Sequence, residues 1–94
     1  MTSHSEVTQN DAEHRYELTV EGQTAFAQYS LNGDIITFTH TIVPEELEGQ
    51  GIGSRLVSAA LADARARDLK VVPMCSFVRG YIERHPEYED LLAE

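Results

Sequence analysis

No tryptophan occurs in this sequence, and its aromatic content is four tyrosines and three phenylalanines. Any core must therefore be thin and mainly aliphatic, as suits one small domain of 94 residues. Cys75 is the only cysteine, which excludes an internal disulfide and fits a reducing compartment. Bases are scarce: seven Lys and Arg stand against sixteen Asp and Glu, for a net charge of −9. That balance argues against nucleic acid as a partner, because phosphate backbones are bound by clustered Lys and Arg. It also disfavours acidic membrane surfaces, and no apolar run approaches the ~20 residues of a membrane span. Four histidines and one cysteine at scattered positions give no metal-ligand spacing. There is no G-x-S-x-G elbow and no triad pattern. The acidic surface serves solubility, and it tolerates cationic amine substrates.

Residues 1–13 are polar and without periodicity, so an unstructured start is expected, with no signal peptide and a cytoplasmic location. Arg15 to Val20 alternates, with Tyr16, Leu18 and Val20 on one face, and reads as a half-buried strand. Glu21-Gly22 turns the chain into a second strand, Thr24 to Leu31. Asn32-Gly33 is a hairpin signal, since both positions of a type I′ turn want φ > 0. A third strand runs from Ile35 to Val43, with Ile36, Phe38, His40 and Ile42 expected on a common face. These three strands form an antiparallel meander. After Pro44, apolar residues at Ile52, Leu56, Val57, Ala60, Leu61 and Ala64 form one helical stripe ending near Arg67. A short strand at Val71-Val72 closes a βαβ unit whose strands should be parallel neighbours. Pro73 cannot donate a ladder bond, so the strand should bulge or peel away there. A second helix spans about Phe77 to His85. The expected fold is α/β, with residues 14–94 forming one domain.

The stretch that organises this chain is Gly49-Gln50-Gly51-Ile52-Gly53-Ser54, at the strand-to-helix junction. It is neither the G-x-G-x-x-G dinucleotide fingerprint nor a Walker A loop. Its glycines permit close backbone approach and positive φ. The first amides of the helix lack intrahelical partners, and the helix dipole favours an anion beside them. The loop reads as a phosphate cradle, with a ligand-free turn as the plainer alternative.

Cys75 falls at the end of a strand immediately before a helix, where a thiolate is favoured. A small buried apolar residue is the equally plain reading. His40 lies near the carboxyl end of the strand paired with that of Cys75, and ligands of such sheets bind beyond those ends. The two are expected to face one crevice, His40 as proton acceptor and Cys75 as nucleophile or acid. Alone, His40 would read as a packed core histidine. His85 and Tyr81, four residues apart, either close the site or pack the helix.

These residues resemble motif A of the GNAT acyl-CoA N-acetyltransferases, a Gln/Arg-x-x-Gly-x-Gly/Ala pattern whose glycines fall on Gly51 and Gly53. Glu48 stands at the Gln/Arg position, which removes a cation or amide and leaves phosphate binding to backbone amides. Together with Thr39-His40-Thr41, Val43-Pro44, Leu47-Glu48-Gly49, Val72-Pro73, Cys75-Ser76-Phe77-Val78 and His85-Pro86-Glu87-Tyr88, the chain resembles the short YjdJ-type GNAT-like proteins over residues 13 to 92. The resemblance implies a mixed sheet with two main helices, splayed to admit acetyl-CoA. Amides of Gln50 to Ser54 would hold the pyrophosphate. Ile42 and Val43 would flank the pantetheine arm, and Tyr81 would line the coenzyme. The thioester would reach toward His40 and Cys75, with oxyanion help from an amide near Ile42.

The reading is an acetyl-CoA-binding domain that transfers the acetyl group to an unidentified amine, as a monomer or weak dimer. One rival is a CoA-binding or protein-interaction module without catalysis. Another is a thiol-redox protein, which would lack a second cysteine to resolve its thiol.

Overall fold

A computed structural model describes residues 7–93. Five strands form one sheet in chain order: β1 (Val7–Asn10), β2 (Arg15–Val20), β3 (Gln23–Asn32), β4 (Ile35–Ile42) and β5 (Lys70–Pro73). The first four are antiparallel neighbours, and β5 lies parallel to β4. Helix α1 (Ile52–Ala66) makes the crossover between β4 and β5, and α2 (Ser76–Arg84) follows β5. The fold is therefore α/β, a five-stranded mixed sheet with two main helices. Among the described residues no helix is long and apolar enough to cross a membrane.

Strand β1 corrects the expectation that residues 1–13 lack structure. Val7 pairs with Leu18 and Gln9 with Tyr16, which extends the meander by a strand. Residues 1–6 lie outside the described residues. With Val7 as its one apolar residue, β1 shows no period. Side-chain bonds to distant partners hold it instead. Gln9 Nε2 donates to the Tyr29 hydroxyl at 2.8 Å, Arg67 donates to Gln9 Oε1 at 2.9 Å, and Asn10 Nδ2 donates to Glu17 at 3.1 Å.

The core lies between one sheet face and the two helices. Tyr16, Leu18, Ala25, Ala27, Tyr29, Ile36 and Phe38 face inward from the strands. Ile52, Leu56, Val57, Ala60, Leu61 and Ala64 meet them from α1, and Val78, Tyr81 and Ile82 from α2. The buried Tyr16 hydroxyl donates to Asp63 on α1, tying helix to sheet. Burial, and then this bond, push the Tyr16 hydroxyl pKa upward. At the far edge Ala93 N–H donates to the Val71 carbonyl at 2.9 Å, so the last described residues cover the outer side of β5.

Two irregularities shape the site. Tyr29 pairs with Phe38 but Gln28 pairs with His40, which leaves Thr39 as an extra residue, a β-bulge in β4. One inserted residue shifts the alternation by one. The helix-facing side of β4 thus passes from Ile36 and Phe38 to Thr41, whose pairing partner is the buried Ala27. His40 and Ile42, expected on the Phe38 face, are instead exposed on the opposite face. Second, β5 pairs with β4 only from Ile35–Lys70 to Phe38–Pro73. Cys75 N–H gives one last bond to the Phe38 carbonyl at 2.9 Å before α2 turns away.

Replacing Phe38, 1% exposed at the centre of the sheet, by alanine should lower stability by about 3–5 kcal/mol in urea unfolding. A second prediction concerns pH. Hydrogen bonds from Arg15, at 2.7 Å, and then Asn10 hold the Glu17 carboxyl below its usual range. The lowered value means this contribution is complete above the unfolded pKa of about 4.3 and is lost as pH falls through the folded value. Hydrogen-exchange protection of β1 should decline below about pH 4 while the α1 amides stay protected.

Candidate functional site

Where β4 and β5 part, the glycine loop fills the mouth of the opening. The chain leaves β4 at Val43-Pro44 and makes one 3-10 turn, Glu45–Leu47, which buries Leu47. It then enters α1 through two left-handed glycines, Gly49 at φ 85° and Gly51 at φ 73°. Such φ values are open to glycine at little cost. The first intrahelical bond of α1 runs from Arg55 N–H to the Gly51 carbonyl at 3.0 Å. Among the described residues no side chain caps the turn, and no acidic residue lies in it. The amides of Ile52, Gly53 and Ser54 therefore precede the helical ladder, with the positive end of the dipole behind them.

A groove of about 420 Å³ opens onto this turn. Gly49, Gly51, Ile52, Gly53 and Ser54 form its α1 side. Thr41, Val43, Leu47, Glu48 and Phe77 complete it. Among the described residues no Lys or Arg is in the lining, so the partial positive charge there is that of the amides and the helix dipole. The remaining walls are largely apolar. An anion joined to an extended, mostly apolar chain matches this lining.

The expected site residues divide as follows. Val43, Gly49, Gly51, Ile52, Gly53 and Ser54 line the groove. The Gln50 side chain bends back, its Nε2 donating to the Glu46 carbonyl at 3.3 Å. Ile42, 49% exposed, lies on the other sheet face. Tyr81 is buried and stacks on His85 at 4.0 Å between ring centroids. It borders a different concavity, about 810 Å³, that runs over the outer side of α1. Cys75 is buried, and its Sγ donates to Thr41 Oγ1 at 3.3 Å. His40 is exposed, with Nδ1 3.2 Å from Thr39 Oγ1. The bulge therefore separates the two residues expected in one crevice. Cys75 lies on the helix side of β4, and His40 lies on the open side beside Gln28.

Thr41, Leu47 and Phe77 are groove residues that the periodicity does not single out. Phe77 had a signal in the sequence, because Gly53 interrupts the buried stripe of α1 and so marks a close neighbour.

A layered α/β domain whose parallel strands part beside an uncapped, glycine-opened helix defines a class, small mixed-sheet domains with a groove at a strand–helix junction. Comparison with known proteins narrows that class. The profile of the GCN5-related N-acetyltransferases matches residues 15–91, and the chain belongs to that family. Its fold is similar to the solution structure of a GCN5-like protein from Staphylococcus aureus. The TM-score is 0.73 and the identity 29%, over 98% of this chain and 91% of that one.

Gly51→Ala should expose the demand for left-handed backbone, since at φ 73° a Cβ costs about 1–2 kcal/mol. No atom outside the adjoining residues lies within 4 Å of that Cβ, so the loss should be strain and not a clash. Thermal unfolding of Gly51→Ala beside Gly51→Asn should show the asparagine variant as the more stable, because Asn tolerates this region better.

Proposed function

We propose that this chain binds acetyl-CoA in the β4–β5 opening and transfers the acetyl group to an amine. The observation that carries the reading is the uncapped first turn of α1 placed at the point where β4 and β5 diverge. The amides of Ile52, Gly53 and Ser54 would hold the diphosphate. Val43, Leu47 and Ile52 would shield the arm from water. Beyond Phe38, β4 has no β5 residue paired with it, so its polar groups at Thr39 to Ile42 could pair with an extended ligand as a strand does. When bound, the coenzyme supplies an acyl group activated as a thioester.

The chain's own groups then act from two sides. The Cys75 thiol, beside Thr41, faces the arm from the helix side. As nucleophile it would exchange its proton for the acetyl group, and as acid it would give that proton to the departing thiolate. His40, on the open face, is placed for an acceptor arriving from that side. Its ring would take the proton that the amine loses as the new C–N bond forms. Both roles rest on family membership together with these positions.

Titration calorimetry with acetyl-CoA, followed by intact-mass measurement, tests the reading. Saturable binding with a gain of one acetyl group, lost in Cys75→Ala, is the outcome for a covalent route. Binding and turnover with a panel of amines, without a mass gain, is the outcome for direct transfer, and His40→Ala should then lower turnover by about 10²–10⁴-fold with little change in acetyl-CoA affinity. Binding with no acceptor ever modified would leave a CoA-binding module. No binding would overturn the proposal.

A further inference from the structure

One wall of the glycine-loop groove is an aromatic ring. Phe77, in the first turn of α2, packs on Gly53 in the first turn of α1. A Cβ at Gly53 would lie 2.6 Å from Phe77 Cζ and 3.1 and 3.3 Å from its Cε2 and Cε1. Such a Cβ could exist only if the ring moved. Gly53 has no positive φ, unlike Gly49 and Gly51, so backbone conformation does not account for a glycine at this place. It lies in the buried stripe of α1, where an apolar side chain would otherwise extend the core. Its smallness makes room for the ring. Phe77 is 38% exposed, although Val78, Tyr81 and Ile82 of the same helix are buried. It is thus half committed to packing and half presented to the groove, whose lining it shares with Thr41 and Val43.

We infer that Phe77 is a positioning residue for the pantetheine arm. Its ring sets the width of the groove beside the α1 amides, and Gly53 is small so that the ring can stand there. This rests on the acetyl-CoA reading above. The amides satisfy the charged part of such a ligand and offer nothing to its aliphatic part. An aromatic face two residues from Cys75 supplies apolar surface between the phosphate cradle and the thiol. Gly53 and Phe77 then act as one unit, since any side chain at 53 drives the ring toward the space the arm would use.

The test is a double-mutant cycle on the full chain: wild type, Gly53→Ala, Phe77→Ala and the double variant, with Phe77→Leu as a milder change. Each is titrated with coenzyme A, and its thermal unfolding is recorded without ligand. The wild type should bind. Gly53→Ala and Phe77→Ala should each weaken binding by about tenfold, roughly the loss of one well-packed apolar contact. Phe77→Leu should fall between wild type and Phe77→Ala. In the double variant the alanine at 53 should add nothing, because the ring it displaces is gone. Unchanged affinity across all variants, with only their melting temperatures lowered, would make Phe77 a packing residue and overturn the inference alone. An equal effect of Gly53→Ala with and without the ring would also overturn it. No binding by the wild type would instead bring down the acetyl-CoA reading, and this inference with it.

Discussion

Parallel pairing of β4 with β5 stops after four residue pairs, and the site is built around that stop. Met74 N–H turns back to the Val72 carbonyl at 3.1 Å, Cys75 N–H takes the Phe38 carbonyl in its place, and the chain enters α2 at Ser76. β4 has no such terminator before Pro44 and runs on to Ile42. Two strands joined over their first half and parted over their second leave an opening at their carboxyl ends. Both helices begin at that opening, because α2 starts three residues after β5 and the loop after β4 brings the chain back beside Thr41 and Val43 before α1 starts. The first turn of α1, the first turn of α2 and the free half of β4 are therefore neighbours by topology.

The chain carries a net charge of −9, and the ligand proposed for it is an anion. Among the described residues the groove holds one acidic residue, Glu48, and no base. Attraction must come from fixed dipoles, which bring their partial charge without a desolvated side chain. The left-handed glycines aim the loop, and the absence of a capping side chain leaves the amides for a ligand. Charged pairs do their work elsewhere. Arg65 with Asp90 and Arg67 with Asp63 lie toward the C-terminal end of α1, where they favour the dipole and join it to its surroundings. Arg67 also reaches Gln9 and so helps hold β1.

Much of this is legible in the residues. Alternation marks Arg15 to Val20, and Asn32-Gly33 marks the hairpin but not its turn, since Asn32 pairs with Ile35 and the turn positions are Gly33 and Asp34, of which only Gly33 has positive φ. The stripe from Ile52 to Ala64 defines α1, and the glycine spacing marks the left-handed turn that enters it, because in each case a local pattern and the tertiary environment agree. What escapes has a non-local cause. Strand β1 offers one apolar residue, and beyond its pairing with β2 it is held by Tyr29 and Arg67, both distant in sequence. The bulge at Thr39 falls in a Thr-His-Thr run with no glycine or proline to announce it, so simple alternation puts His40 with Phe38. Only pairing with Gln28 and Tyr29 turns it to the open face. For Tyr81 the local i, i+4 spacing leaves two readings open, and its stack with His85 and its burial with Val78 and Ile82 hold it in the helix packing.

The most direct test of the central claim is to follow backbone amide signals of the ¹⁵N-labelled protein while coenzyme A is added. The account predicts the largest changes at Gly51 to Ser54, at Thr39 to Val43 and at Cys75 to Phe77, with β1 and β2 nearly still. Changes centred on the outer side of α1, around Ser58 and Ala62, would place the ligand in the other concavity and contradict it.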